Sequence, residues 1–157
     1  MMNLFFTELQ AAVADRLNRK LELRGIPVLL RQASDFESRL EETVTTGLGI
    51  CVVVLQPLPS KVAVATPGLS FSEIEAPVLI VENVLLNDTG QSALGLAEIV
   101  SRQLHQWTPL LSEIETALAL DATKPWDVSQ NLDDGNRNEF ELTFITSAIL
   151  PALTDLG

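Results

Sequence analysis

Residues 49 to 55 read Gly-Ile-Cys-Val-Val-Val-Leu, a run with no polar side chain on either face. Successive side chains of a strand point to opposite sides of a sheet, so a run apolar throughout needs cover on both. It therefore reads as a central strand of a layered fold. Residues 74 to 86, rich in Val, Ile and Leu, read as a second central strand. The cover has to come from helices, and the periodicity supplies them.

Residues 4 to 22 place Phe5, Leu9, Ala12 or Val13, Leu17 and Leu21 at helical spacing, with polar residues opposite. Gly25 ends that helix, and Ile26 to Leu30 follows as a short strand whose Pro27 suits a sheet edge. Ser34 with Glu37 three residues on matches a capping box for a short helix bearing Phe36, Leu40 and Val44. Gly47-Leu-Gly49 closes it and makes a tight entry into the first apolar run. A strand follows these glycines, where a dinucleotide fingerprint would have a helix.

Pro57 and Pro59 mark a turn, Lys61 to Thr66 alternates as a strand, and Pro67-Gly68 ends it. Asn87-Asp-Thr-Gly90 breaks the second central strand and caps a helix expected over 91 to 108. That helix carries Ala93, Ala97, Val100, Leu104, Trp107 and Leu111 on one stripe, and Pro109 forces its end. Residues 110 to 121 fit a helical turn or a strand equally well. Pro125 to Val128 and Asn138 to Thr146 form a closing hairpin around the turn residues Asp133-Asp-Gly135, with Phe140, Leu142 and Phe144 on one face. The order implies a single α+β domain over residues 1–157. Its mainly antiparallel sheet of about five or six strands is packed by the N-terminal helix and the long central one.

Composition narrows the function classes. Hydrophobic residues make up 46% of the 157, and mean hydropathy is +0.24. No stretch approaches the about 20 apolar residues of a membrane span. The N-terminus lacks a basic lead-in and carries Glu8 and Asp15, unlike a secretory signal. The surplus of apolar side chains points to a subunit interface, and so to a homo-oligomer. Net charge is −11, from 21 acidic and 10 basic side chains. Arg16, Arg19, Lys20 and Arg24 are the nearest approach to a basic cluster, and they lie among Glu8, Asp15 and Glu22. Neither direct nucleic-acid binding nor an anionic membrane surface is expected. The one cysteine, Cys51, reads as a small buried hydrophobe in a reducing cytoplasm.

Enzymatic chemistry finds little to work with, and no catalytic residue is assigned. The one histidine, His105, lies beside the Leu104 and Trp107 stripe, and there is no tyrosine. A zinc site needs about four ligands, which one Cys and one His cannot supply. Asn131, Asp133, Asp134, Asn136 and Glu139 are oxygen donors in one loop. With Gly135 as the turn glycine, however, Gln130 and Leu132 would fall at the first and third calcium ligands. No metal and no cofactor is expected.

Glu82 and Asn83 interrupt an apolar strand, and alternation puts Glu82 on the face of Val78, Ile80 and Val84. A carboxylate on a buried face is costly without partners. Either the strand leaves the core there, or Glu82 and Asn83 organise the corner before the long helix or reach a neighbouring subunit. These two and Asn87 are the candidate corner or interface residues.

The segment Pro77-Val-Leu-Ile-Val-Glu-Asn-Val-Leu-Leu-Asn87 resembles the strand and turn of small tail-terminator and tail-completion proteins of phages and prophage-like elements. An apolar strand ending in Gln56-Pro57 precedes it, and a helix ending Leu104-His-Gln-Trp-Thr-Pro109 follows, as in that family. The element order is similar from about residue 5 to residue 146, while residues 110 to 121 and the acidic hairpin loop have no counterpart. The resemblance implies a structural protein of virion assembly: a subunit of a ring, commonly six-fold, that closes the tail tube and meets neck proteins. It implies no cofactor, and a place in the host cytoplasm during assembly or in the virion tail. Two other readings suit the residues: an acidic secretion-type chaperone, dimeric and holding an unfolded client, and a carboxylate enzyme using the Asp133/Asp134 loop with a metal.

Overall fold

The computed structural model describes residues 4–21, 24–31, 36–45, 47–64, 68–124, 126–131 and 137–152. In chain order the elements are α1 (Phe5–Leu21), β1 (Val28–Leu30), α2 (Phe36–Thr45), β2 (Ile50–Val54), β3 (Leu58–Val64), β4 (Leu69–Asn83), α3 (Ala93–Leu104), β5 (Ala119–Leu120), β6 (Asp127–Asn131) and β7 (Arg137–Leu150). The class is α+β, with seven strands in one sheet rather than five or six. Only β1 and β2 pair in parallel. All other pairings are antiparallel.

The sheet is built on two strands, β4 of 15 residues and β7 of 14, paired from Leu69↔Leu150 to Asn83↔Arg137. The free edge of β4 takes β3 along its first half and β2 along its second. The free edge of β7 takes β6 at Arg137–Glu141, β5 at Phe144 and Ile145, and a bridge from Ile114 at Ala148. Long strands with different neighbours along their length make a broad, twisted sheet.

Alternation decides what each face carries. Ile50, Val52, Val54, Val78, Ile80, Leu142 and Phe144 point to α1 and α3, where they meet Leu9, Leu17, Leu96, Val100 and Leu104 in the main core. Cys51, Val53 and Val81 point the other way, to Phe36, Leu40 and Val44 of α2. Every residue of β2 is buried, as a run apolar on both faces requires. On α1, Val13 rather than Ala12 takes the buried position. Gln10 joins it there, because its Nδ-equivalent amide, Nε2, donates to the Val54 carbonyl at 2.9 Å.

The structure departs from the sequence reading at element ends. β4 begins at Leu69, not residue 74, and stops at Asn83, not residue 86. A register shift between Phe71 and Ile74 puts both on the core face and breaks the period-2 pattern. Pro59, read as a turn residue, lies inside β3 opposite Ile74. The helix expected over 91 to 108 is α3, with Ser92 as its N-cap, the Ser92 side chain accepting from the Gly95 N–H. It ends at Leu104, because Gln106 adopts φ 67° and turns the chain. Trp107 and Leu111 still pack on the core from beyond the helix. Residues 110 to 121 contain turns, the Ile114 bridge and β5. Ser34 of the capping box and the Asp133-Asp-Gly135 turn lie outside the described residues.

Two glycines with positive φ separate two kinds of constraint. Gly49 (φ 77°) would place a Cβ 2.8 Å from the Asn87 backbone nitrogen, whereas Gly90 (φ 81°) has open space around it. Gly90→Ala should cost about 1–2 kcal/mol for the left-handed backbone alone. Gly49→Ala should cost roughly 1–3 kcal/mol more, because backbone atoms must also move. Urea unfolding of the two variants checks the order.

Candidate functional site

The corner that joins β4 to α3 gathers all three candidate residues. Asn83 ends the strand: its backbone N–H donates to the Gly49 carbonyl at 2.7 Å, and its Nδ2 donates to the Val44 carbonyl at 2.9 Å. Its Oδ1 accepts from the Leu85 N–H at 3.1 Å, and its carbonyl accepts from the Asn87 N–H at 2.9 Å. One side chain thus ties the last turn of α2 to the end of β4 and the turn after it.

Asn87 does the same on the other side. Its Nδ2 donates to Glu82 Oε2 at 2.7 Å and to the Gln91 carbonyl at 2.8 Å. Its Oδ1 accepts from the Thr89 N–H at 3.1 Å and from Thr89 Oγ1 at 2.6 Å. Glu82 is 8% exposed, on the core face opposite Ile50 and Asn138. Its buried carboxylate therefore has a partner within the chain. Thr89, Gln91, Gly49 and Val44 complete the corner, and the sequence reading does not assign any of them to this site. Val44, Gly49 and Gln91 each meet Asn83 or Asn87 through a backbone carbonyl, which no side-chain pattern reveals. Val84 and Leu85, at the outer tip of the turn, are 50% and 78% exposed.

The residues of conventional chemistry lie apart. Cys51 is fully buried beneath α2, where burial pushes its thiol up to about 12. His105 is the C-cap residue of α3 on the other side of the sheet, with Nδ1 accepting from the Leu120 N–H at 3.0 Å. Among the described residues no group of three or more His, Cys, Asp or Glu could hold a metal ion. The donor loop at 132–136 lies outside them. No helix among the described residues is long and apolar enough to cross a membrane.

A groove of about 1070 Å³ opens on the α2 side of the sheet. α2 covers only the β1–β2–β4 corner, so Pro77 and Thr143 form an open floor between Phe36, Leu55, Leu58 and Trp126. Arg31 and Lys124 face Glu37, Glu75, Asp127 and Glu141 around it. Lys124 Nζ lies 2.5 Å from Glu75 Oε1. That hydrogen bond, with the fields of Glu75, Asp121 and Glu141, raises the Lys124 ammonium above the usual lysine range. Asp127 and Glu141 stand directly opposite each other across β6 and β7. Like charges so placed are destabilising.

The opposite side of the molecule has a smaller cleft of about 460 Å³ between α1 and the segment after α3. It is lined by Asp15, Arg16, Arg19, Lys20, Trp107 and Leu110. The Arg16 guanidinium lies 4.8 Å over the Trp107 ring and donates through Nε to the Gln103 carbonyl at 2.7 Å. Leu110 at its rim is fully exposed, at 102%.

With the geometry in place, the comparisons with known proteins divide. No protein-family model and no curated protein matches the chain. Among solved structures the fold is similar to a chain in the "Virion of native gene transfer agent (GTA) particle". The TM-score is 0.65 at 16% identity, covering 90% of this chain and 94% of that one. At that identity the likeness is one of fold.

Two outcomes test the site as described. Asn87→Ala should cost about 2–3 kcal/mol in urea unfolding, because it leaves the buried Glu82 carboxylate without that donor. Adding Glu82→Gln to it should recover part of the loss, since a neutral amide is cheaper to bury unpaired. The second outcome concerns pH. Thr123 Oγ1 donates to Asp121 Oδ1 at 2.7 Å and the Thr123 N–H does so at 3.0 Å, which holds the Asp121 carboxyl below the usual range. A lowered carboxyl stabilises the fold above its unfolded-state value and loses that contribution as pH falls through the folded one. Thr123→Val should therefore reduce stability at neutral pH and flatten the acid limb of a stability-versus-pH curve.

Proposed function

We propose that this protein is a structural subunit of a phage-like particle, a tail terminator or tail-completion protein whose copies form a ring. The ring, six-fold as is common in the family that residues 77–87 resemble, closes the end of the tail tube and meets neck proteins. The observation that carries the reading is the fold likeness to a chain of a gene transfer agent virion, which spans nearly the whole of both chains. It agrees with a resemblance that rests on different grounds, namely the residues of the β4–α3 corner.

The surfaces support a role in assembly. Leu58, Val62 and Leu69 on the β3–β4 hairpin, Val84 and Leu85 at the corner, and Leu110 are all more than half exposed or at that level. Exposed apolar side chains in several patches suit a subunit that meets more than one neighbour. The role is not catalytic and requires neither cofactor nor metal. The partners are further copies of the chain and other tail or neck proteins, with no direct contact to nucleic acid. The protein works in the host cytoplasm during assembly and in the tail of the finished particle.

Light scattering behind a sizing column, over a range of protein concentrations, tests this. The expected result is a mass near six subunits, or one that rises toward it on concentrating. A dimer at every concentration would favour the chaperone reading instead, and a monomer at every concentration would remove support for a self-assembling ring.

A further inference from the structure

A chain of net charge −11 has few places where positive charge gathers, and one of them is the cleft lined by Arg16, Arg19 and Lys20. Arg16, Arg19 and Lys20 are three of the ten basic side chains and lie in the last two turns of α1, while Arg24 lies beyond the helix and donates to Gln91 Oε1 at 3.3 Å. Arg102 carries a further cation on the last turn of α3. Asp15 pairs with Arg19 at 2.7 Å and Glu98 with Arg102 at 3.8 Å, both between exposed side chains. At the edge of this surface Leu110 projects fully into solvent.

The groove on the other face of the sheet has the opposite character. Four carboxylates and two cations line it, and Phe36, Leu55, Leu58 and Pro77 give it an apolar part. Asp127 and Glu141 stand side by side at a cost to the isolated chain, and a cation arriving from outside would relieve it. The groove also has room for an aliphatic side chain beside those carboxylates.

From these observations we infer that the α1 surface of one copy docks into the sheet groove of the next. Leu110 enters the groove, and Arg19 and Lys20 meet Asp127 and Glu141. The occupant of the groove is thus a second copy of this chain. The inference rests on the ring reading above and supplies its contact. The two patches lie on opposite faces of one sheet, α1 and α3 against α2. Such a contact is heterologous: each copy uses one patch forward and the other backward, and repetition closes into a ring if the rotation permits.

Charge reversal tests it in a form that separates the contact from the ring. One variant carries Arg19→Glu and Lys20→Glu, the other Asp127→Lys and Glu141→Lys. All four sites are at the surface or part-exposed, and thermal melts of each variant verify folding. Each variant alone should lose association by roughly tenfold or more in light scattering, from like charges facing across the contact. A 1:1 mixture should reassemble, because each reversed patch then meets a complementary one, and the particles should contain both chains equally. If wild type assembles but each variant assembles as well as it does, or the mixture stays dissociated, the contact is wrong and the ring reading stands. Wild type that never exceeds a dimer overturns both.

Discussion

The β4–β7 ladder is the interaction on which the remaining structure depends. It runs the length of both strands, and the other strands, of two to seven residues, attach to it directly or, for β1, through β2. Short strands have little stability alone, so β1, β5 and β6 hold their places because a longer partner is already set. The ladder also fixes the two cores. Register Val78↔Leu142 and Ile80↔Phe140 puts the aliphatic row of β4 and the Leu142 row of β7 on the same side, under α1 and α3. A slip of one residue would send Glu139 and Glu141 into that core.

The corner at the end of β4 converts the ladder into a position for α3. Asn83 and Asn87 use their side-chain amides to satisfy backbone groups of α2 and of the 83–91 turn. Gly49 leaves the space into which the Asn87 backbone fits. The strand therefore stops at a fixed point, and α3 leaves with its apolar stripe already facing the sheet. Glu82 is tolerated on the core face because Asn87 reaches back to it.

What the sequence revealed, and what it hid, follows from the range of the interactions. The apolar run at 50–54 and the stripes of α1 and α3 are local patterns, and each appears as an element near its expected place. The first half of β4 was hidden by the shift between Phe71 and Ile74, because its pairing with β3 and β7 decides the phase there. Trp107 looks helical because it packs on the same core as α3, but the Gln106 N–H donates to the Leu118 carbonyl and the Leu118 N–H to the Trp107 carbonyl, which turns the chain away. Glu82, Asn83 and Asn87 stood out as polar residues in an apolar run. Their partners are mostly backbone groups, which carry no trace in side-chain pattern. The groove was invisible, since it arises from how little of the sheet α2 covers.

That partial cover bears on how copies of the chain can meet. A two-fold dimer joins one patch to itself, so the patch must be self-complementary. The groove presents more carboxylates than cations, and facing another groove it would bring Asp127 and Glu141 against their equivalents. The α1 surface facing itself would oppose Arg19 and Lys20 in the same way. Like-charge contacts of this kind suppress association rather than direct it. The pairing that brings unlike charge together joins different faces, and it leaves a free patch at each end of every pair. In the contact inferred above, charge distribution therefore favours continued addition over closure at two.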